Sequence, residues 1–132
     1  MSASLAVPLD ILRRGILVIV GDLAFLRSTL KRRCYGGSAD EIAALVRKGA
    51  HADTCAITIE MDDTCDVLVY SPAPFTLPTL VHELCHATQF MLSHLGIEDK
   101  ETFAFTLEYL VERVLSSAPH GLLDERGKEQ TR

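Results

Sequence analysis

Apolar residues recur with the period of an amphipathic helix in two long stretches towards the end of the sequence. The apolar side of the first stretch, residues 76–95, is formed by Leu80, Leu84, Ala87, Met91 and Leu95. The apolar side of the second stretch, residues 101–115, is formed by Phe103, Leu107, Leu110, Val111, Val114 and Leu115. Thr76 and Pro78 suit a first helical turn, and Gly96 suits a helix end. We therefore predict two helices that pack antiparallel, because only a short turn joins them.

The earlier part of the chain has the pattern of a buried strand, two helices and a β-hairpin. The apolar run at 15–20 predicts the strand, and a helix is expected from Asp22 to about Arg33. Ser38 and Glu41 have the spacing of a capping box, which predicts a further helix over 38–48. Two segments rich in β-forming residues flank an acidic turn and predict the hairpin, and a proline-rich link leads from them to the next helix. The two strands are expected at 54–61 and 66–70, and the link at 71–74.

These elements follow one another in the order β-α-α-β-β-α-α. That order predicts an α+β fold, in which helices pack on a small antiparallel or mixed sheet. With 132 residues the chain is long enough for one domain with its own core, which we place at residues 1–120. The charged segment 121–132, which contains two glycines, is expected to be a flexible C-terminal tail.

Composition and charge narrow the classes of function. The formal net charge of −5 at pH 7 argues against a nucleic-acid partner. The apolar run at 15–20 is too short to span a bilayer and lacks the features of a signal peptide. We therefore expect no membrane partner and a location in the cytoplasm, either of a bacterium or of a phage-infected host. The four cysteines are expected to be reduced there, although Cys55 and Cys65 flank the predicted hairpin turn and can pair in an oxidising compartment.

The segment His82-Glu83-Leu84-Cys85-His86 carries the motif H-E-x-x-H within the first of the two predicted helices. Histidines four positions apart project from the same face of a helix, so both imidazoles can reach one metal ion. Glu83 is offset by about 100° and lies beside the metal, where a carboxylate can hold and deprotonate a water molecule. The motif face lies opposite the apolar stripe, which favours a metal site over a pair of core histidines. Cys85 falls on the apolar flank and is expected to be a small core residue.

A catalytic zinc ion usually has three protein ligands and one open position, so a third ligand is expected from a nearby element. Glu101, in the first turn of the next helix and fifteen positions after His86, is the first candidate. Glu108, about two turns later on the same face, is an alternative ligand or an acceptor for an imidazole N–H. Without the two histidines, both glutamates would be taken for the solvated edge of a helix.

The segment from Thr79 to Ala87, followed after a short gap by Glu101-Thr102-Phe103-Ala104-Phe105, resembles the zincin-type metallopeptidases. Within that group the chain resembles the glutamate-zincin branch, and it is similar to small zincin-like proteins found in phages and prophages. The resemblance covers about residues 76–115. It implies a bound Zn²⁺ ion with the ligands His82, His86 and Glu101, and Glu83 as the general base.

The chain departs from the zincin pattern at two points. Thermolysin-like enzymes carry an aspartate four residues after the ligand glutamate, where this chain has Phe105, so Glu108 or another group would have to orient a histidine. The group that stabilises the transition state is not placed by spacing. Its candidates are Tyr70, Tyr109, His94 and His120.

The expected function is zinc-dependent hydrolysis of peptide bonds, in which Glu83 activates a zinc-bound water. The resemblance also implies that an extended peptide or protein substrate pairs with a sheet edge, at 54–61 or at 66–70. Two other functions fit the sequence. One is a zincin-like module, catalytically weak or inactive, that binds a host or phage protein, and the other is a regulatory protease that cuts a single intracellular protein.

Overall fold

The fold consists of four strands and four helices in the part of the chain that the computed structural model describes, residues 2–9, 14–33, 36–49, 56–61 and 66–124. The expectation of an α+β fold is confirmed. The elements are β1 Ala3–Leu9, β2 Arg14–Val20, α1 Leu23–Arg32, α2 Gly36–Gly49, β3 Ile57–Met61, β4 Asp66–Ser71, α3 Leu77–His94 and α4 Lys100–Ser117.

The four strands form one mixed sheet in the order β1-β2-β4-β3. The pairs β1–β2 and β3–β4 are antiparallel, whereas β2 and β4 are parallel. Two parallel neighbours need a crossover connection, and the segment that contains α1, α2 and β3 provides it. The predicted hairpin is confirmed for its two strands, and its turn lies outside the described residues. Strand β3 is one edge of the sheet and β1 is the other.

Helices cover both faces of the sheet. On one face, Ile16, Val18, Val67 and Val69 pack with apolar residues of α3 and α4. On the other face, their sequence neighbours pack with residues of α1 and α2; these neighbours are Leu17, Ile19, Leu68 and Tyr70. All seven residues of β2 are buried, as the apolar run at 15–20 predicted. The fold therefore has three layers, with α1 and α2 on one side of the sheet and the motif-bearing hairpin of α3 and α4 on the other.

Strand β1 was not predicted, so the expected order was short by one strand. The order in the structure is β-β-α-α-β-β-α-α. Pro8 lies within β1 and pairs with Gly15, and proline weakens a strand prediction because it cannot donate a ladder hydrogen bond. An edge strand tolerates this loss, since one row of its backbone groups has no partner strand in any case.

Helix α2 begins at Gly36, two residues before the expected start. The prediction that Ser38 caps this helix is therefore wrong, because Ser38 already lies inside the first turn. Two successive glycines are poor helix formers, so no local pattern indicated a helix start at Gly36.

The chain beyond α4 returns to the start of α3. The backbone N–H of Phe75 donates to the Leu122 carbonyl at 2.9 Å, and the N–H of Asp124 donates to the Phe75 carbonyl at 2.7 Å. Leu122 is fully buried in the core beneath α3 and α4. Residues 121–124 of the expected tail are thus packed on the domain, and 125–132 lie outside the described residues. None of the described helices has both the length and the apolar character needed to cross a membrane.

Leu84 anchors α3 in the core, and its replacement by alanine is expected to lower the free energy of unfolding by about 2–5 kcal/mol. The side chain is fully buried, so truncation removes apolar contacts and leaves a cavity. Urea denaturation measures this loss. The slope of the free energy of unfolding against urea concentration should be the same in the native chain and the variant. Leu77→Ala is the matched control on the same helix, because Leu77 is 50% exposed and its truncation should change stability by less than about 0.5 kcal/mol. Equal losses in the two variants would contradict this packing of α3.

Candidate metal centre

The motif residues lie in the interior of α3, and specific contacts close both ends of this helix. At its start, the Thr76 hydroxyl accepts a hydrogen bond from the Thr79 backbone N–H at 3.3 Å, and Pro78 occupies the first turn. At its end, Gly96 has a φ of 72°, and its N–H and that of Ile97 donate to carbonyls of the last turn. This arrangement is a Schellman motif, which glycine favours because it adopts a positive φ without strain. Fraying is therefore confined to positions away from the motif.

Helix α3 has an apolar face and an opposite motif face, as predicted. Four of the five predicted apolar residues are fully buried, namely Leu80, Leu84, Ala87 and Met91, whereas the prediction is wrong for Leu95, which is exposed where the helix ends. His82 and His86 are exposed on the other side, and 68% of the His82 side chain is accessible. The histidines are therefore open to a solute and are not part of the hydrophobic core.

The two imidazole rings approach each other through their Nε2 atoms. These atoms lie 3.2 Å apart, the ring centroids are 4.8 Å apart, and the ring planes meet at 79°. Two nitrogen ligands at about 2.0–2.1 Å from a tetrahedral zinc ion are about 3.3 Å apart. The spacing of the pair therefore fits the requirement of one zinc ion. In the metal-free chain, the same spacing suits a hydrogen bond in which Nε2–H of one neutral ring donates to Nε2 of the other.

Glu83 is buried, with only 6% of its surface exposed, although its two histidine neighbours in the motif are open. Its Oε1 atom accepts a hydrogen bond from the Thr58 hydroxyl at 2.9 Å, and the same hydroxyl lies 3.2 Å from the Glu83 carbonyl oxygen. Its Oε2 atom lies 3.8 Å from Nε2 of His82. One carboxylate oxygen is thus attached to the sheet, and the other lies next to the histidine pair.

Thr58 belongs to β3 and was not predicted as a site residue. A signal was present, because residues 56–59 alternate between the two faces of the sheet. Ile57 and Ile59 pack against the core beneath α1 and α2, whereas Ala56 packs against the core beneath α3 and α4. A polar residue at position 58 must therefore project towards α3. Only the three-dimensional contact shows that its partner there is Glu83.

A cavity of about 360 Å³ opens next to Glu83 and His82. Its other lining residues are Ala56 from the segment that enters β3, and Pro78 and Thr79 from the first turn of α3. Cavities from about 300 Å³ upwards accept small ligands. Because most of these side chains are short, the cavity leaves space for a peptide group beside the Glu83 carboxylate.

The sheet edge nearest the motif is β3. Helix α3 packs against both β3 and β4, but β4 is an interior strand with a partner on each side. Of the two expected edges, 54–61 is therefore correct for its described part, and 66–70 is wrong. The physical reason is that β4 pairs in parallel with β2, a long-range contact that no local pattern reveals.

No third ligand lies with the two imidazoles among the described residues. Within the described ranges of the chain, no group of three or more His, Cys, Asp or Glu side chains is arranged to hold a metal ion. Glu101 lies in the first turn of α4, as predicted, and is exposed. Glu108 is also exposed on α4. The imidazole pair thus fits a zinc ion, while the assignment of either glutamate as a ligand stays a prediction.

The hairpin of α3 and α4 places the two candidate glutamates at different heights. The short turn between His94 and Lys100 makes α3 and α4 an antiparallel pair, and Val81 lines one groove with residues of α4 that include Glu108 and Leu115. With a rise of about 1.5 Å per residue, a straight hairpin puts Glu108 level with His86 and Glu101 about 10 Å further along the axis. Glu101 can therefore reach the histidines only if the first turn of α4 comes closer to them than a straight hairpin allows.

Tyr70 is excluded as a group that stabilises a transition state. It lies in the core on the face of the sheet that α1 and α2 cover, and α3 is on the opposite face. Its hydroxyl donates a hydrogen bond to the Gly21 carbonyl at 2.7 Å. Burial, assisted by the Asp22 carboxylate, raises the pKa of the Tyr70 phenol, which suits a structural hydroxyl. The other candidates, Tyr109, His94 and His120, are all exposed.

Cys85 is a free and partly buried thiol on the flank of α3, in keeping with a packing role. Cys55 and Cys65 lie outside the described residues, and their predicted proximity stays a prediction. Comparison of the chain with protein-family models, with curated proteins and with solved structures found no match. The assignment of the site therefore depends on the residues and contacts of the chain itself.

Proposed function

We propose that this protein is a zinc-dependent metallopeptidase-like hydrolase. The observation that carries the proposal is the 3.2 Å approach of the His82 and His86 Nε2 atoms, next to which Oε2 of Glu83 lies. Two imidazoles at the spacing of zinc ligands, with one carboxylate beside them, are the groups that hydrolysis by a metal-activated water requires. The zincin resemblance of the sequence supports the same function.

The chain supplies ligands and a proton carrier. His82 and His86 would bind zinc through Nε2, and zinc held there would make a water more acidic and polarise the substrate carbonyl. Oε2 of Glu83 takes the proton from the attacking water, and the resulting carboxyl group donates it to the nitrogen of the leaving amine. The burial of Glu83 limits competing water around this carboxylate.

The substrate we propose is an extended segment of a peptide or protein. Strand β3 is an edge strand and runs beside the motif helix. A peptide that pairs with this edge would gain backbone hydrogen bonds and would pass close to the cavity beside Glu83. The net charge of −5 is consistent with a partner that is not a nucleic acid.

The experiment that tests this function combines metal analysis with a cleavage assay on the full chain. We expect about one zinc ion per chain by elemental analysis, together with cleavage in a fluorescence-quenched peptide library that a chelator abolishes and added zinc restores. Purified chain that does not take up zinc would overturn the proposal. Cleavage that persists after complete zinc removal would also overturn it.

The third ligand is proposed to come from α4, with Glu101 as the residue that the zincin resemblance implies and Glu108 as the alternative at the height of His86. We expect Glu101→Gln to weaken zinc binding by about a hundredfold or more, because a glutamine oxygen carries no charge for the ion. Competition with a zinc-sensitive dye measures the affinity. Glu98→Gln, at an exposed glutamate in the turn between the helices, is the matched control.

Two other outcomes are decisive for this assignment. A large loss in Glu108→Gln with no loss in Glu101→Gln would assign the ligand to Glu108. Unchanged affinity in both variants would show that α4 provides no carboxylate ligand.

Recognition of a protein without turnover is the alternative function. The β3 edge and the cavity beside Glu83 would serve binding as well as they serve catalysis. Zinc bound at full stoichiometry, with no cleavage of the peptide library, would favour this module. A regulatory protease would also leave such a library intact. It would be recognised by one co-purified protein that is cut by the native chain and remains intact with Glu83→Ala.

A further inference from the structure

The contact between β3 and the motif helix has a chemical role beyond packing. The Thr58 hydroxyl reaches two acceptors of the same residue, Oε1 of Glu83 at 2.9 Å and the Glu83 carbonyl oxygen at 3.2 Å. A hydroxyl has one proton, so the two acceptors share it or alternate. The shorter contact goes to the carboxylate, which is the stronger acceptor when it is ionised.

This contact fixes the plane of the Glu83 carboxylate. Oε1 is occupied by Thr58, and Oε2 lies 3.8 Å from Nε2 of His82, on the side of the histidine pair. The two oxygens are equivalent, so a half-turn about the last side-chain bond changes nothing, but this torsion has a broad profile, and without the hydroxyl the plane could turn so that neither oxygen faces the histidines. A hydrogen bond to one oxygen selects a single orientation.

Packed elements hold both partners of the hydrogen bond between Thr58 and Glu83. Thr58 lies on the edge strand β3, where it pairs with Val69 of the interior strand β4, and its neighbours Ile57 and Ile59 are packed on the opposite face. Glu83 in turn is buried on a helix whose adjacent residue Leu84 is in the core. Donor and acceptor are therefore held by two separate packed elements, which is the arrangement that keeps a catalytic group in place.

We propose that Thr58 is the positioning residue of Glu83, and that its hydroxyl directs Oε2 of the carboxylate towards the histidine pair. The inference deepens the proposed hydrolase function and depends on it for its kinetic consequence. The contact itself can be tested without any metal. Thr58 is not a catalytic residue in this proposal, because it acts only through Glu83.

The first test measures the contact in the metal-free full chain. A double-mutant cycle with Thr58→Val, Glu83→Ala and the double variant compares unfolding equilibrium constants in urea. We expect a coupling of about tenfold between the two side chains, because a partly buried hydrogen bond to a charged carboxylate is among the stronger ones. In the Glu83→Ala background the hydroxyl proton can go wholly to the backbone carbonyl, so the coupling measures how much more strongly the hydroxyl binds the carboxylate than the carbonyl. Additive effects of the two substitutions would overturn the proposal.

The second test measures the consequence for catalysis on the zinc-loaded chain, with the best-cleaved peptide of the library as substrate. We expect Thr58→Val to lower kcat by about 10- to 100-fold, with KM and zinc stoichiometry unchanged, because a misplaced base affects the chemical step alone. Thr58→Ser keeps the hydroxyl and should restore most of kcat. Unchanged kcat in Thr58→Val, or no recovery in Thr58→Ser, would overturn the proposal.

Thr88→Val is the matched control for a merely structural effect. Thr88 is fully buried on the same helix, and its hydroxyl donates to the Leu84 carbonyl at 2.8 Å without touching Glu83. Thr88→Val should lower the free energy of unfolding and leave kcat unchanged. A loss in kcat as large as that of Thr58→Val would contradict a specific role of Thr58. If the native chain hydrolyses nothing, the proposed function fails, while the cycle still decides whether Thr58 holds the carboxylate.

Discussion

Replacement of Glu83 by glutamine is expected to lower kcat by about 10²- to 10⁴-fold while zinc remains bound. Glutamine has nearly the same shape and can still accept a hydrogen bond from Thr58, but its amide cannot take a proton from water. The proposed zinc ligands His82 and His86 are unchanged. Steady-state kinetics on a library peptide and elemental analysis of the same sample measure the two quantities together.

Glu98→Gln provides the control for this experiment, because it makes the same chemical change at an exposed position in the turn after α3. Its kcat should equal that of the native chain within about twofold, as is usual for surface substitutions. Hydrolysis by Glu83→Gln at the native rate would show that another group carries the proton. Loss of zinc from Glu83→Gln would instead identify this residue as a ligand and change its assigned role.

Alanine at either His82 or His86 is expected to abolish stoichiometric zinc binding. Each substitution removes one of two nitrogen donors whose spacing of 3.2 Å suits the ion, and the remaining imidazole holds zinc no better than an ordinary surface histidine. We expect zinc affinity to fall by at least about a hundredfold, with all hydrolysis lost as a consequence. Dye competition gives the affinity, and circular dichroism checks that α3 is retained.

His94→Ala is the matched control for the histidine variants. His94 is exposed at the end of the same helix, about two turns beyond His86. The His94→Ala variant should bind zinc as tightly as the native chain does. If His82→Ala and His94→Ala bound zinc equally well, the metal centre would have to lie elsewhere. The proposed function would then lose its central observation.

Local patterns predicted the motif helix almost completely. The apolar stripe that includes Leu84 and Met91, the cap at Thr76 and the stop at Gly96 are all properties of contiguous residues, and the structure confirms each of them. The strands β3 and β4 were predicted for the same reason, because they are close neighbours in the chain. Edge strand β1 was missed because Pro8 weakens its pattern, and only its pairing with β2 reveals it.

In the candidate site, too, the sequence predicted the relations between residues that are close in the chain and missed those between distant residues. The spacing of His82, Glu83 and His86 was enough to place both imidazoles on one exposed face, because residues four apart on a helix are neighbours by construction. The partner of Glu83 was missed, since Thr58 is 25 residues away in the chain and meets it only when β3 packs on α3. The exclusion of Tyr70 also needed the fold, because its side of the sheet depends on the register of β4.

The sequence by itself determined the motif, the helix that carries it and the faces of that helix, because 3.6 residues per turn fix these relations locally. Tertiary structure alone decided that β3 is the edge beside the site, that Thr58 holds Oε1 of Glu83, and that Tyr70 lies on the face of the sheet opposite the motif helix. These relations join residues that are distant in the chain or lie on different elements. Their distances depend on how strands pair and helices pack, and no periodicity in the sequence encodes that directly.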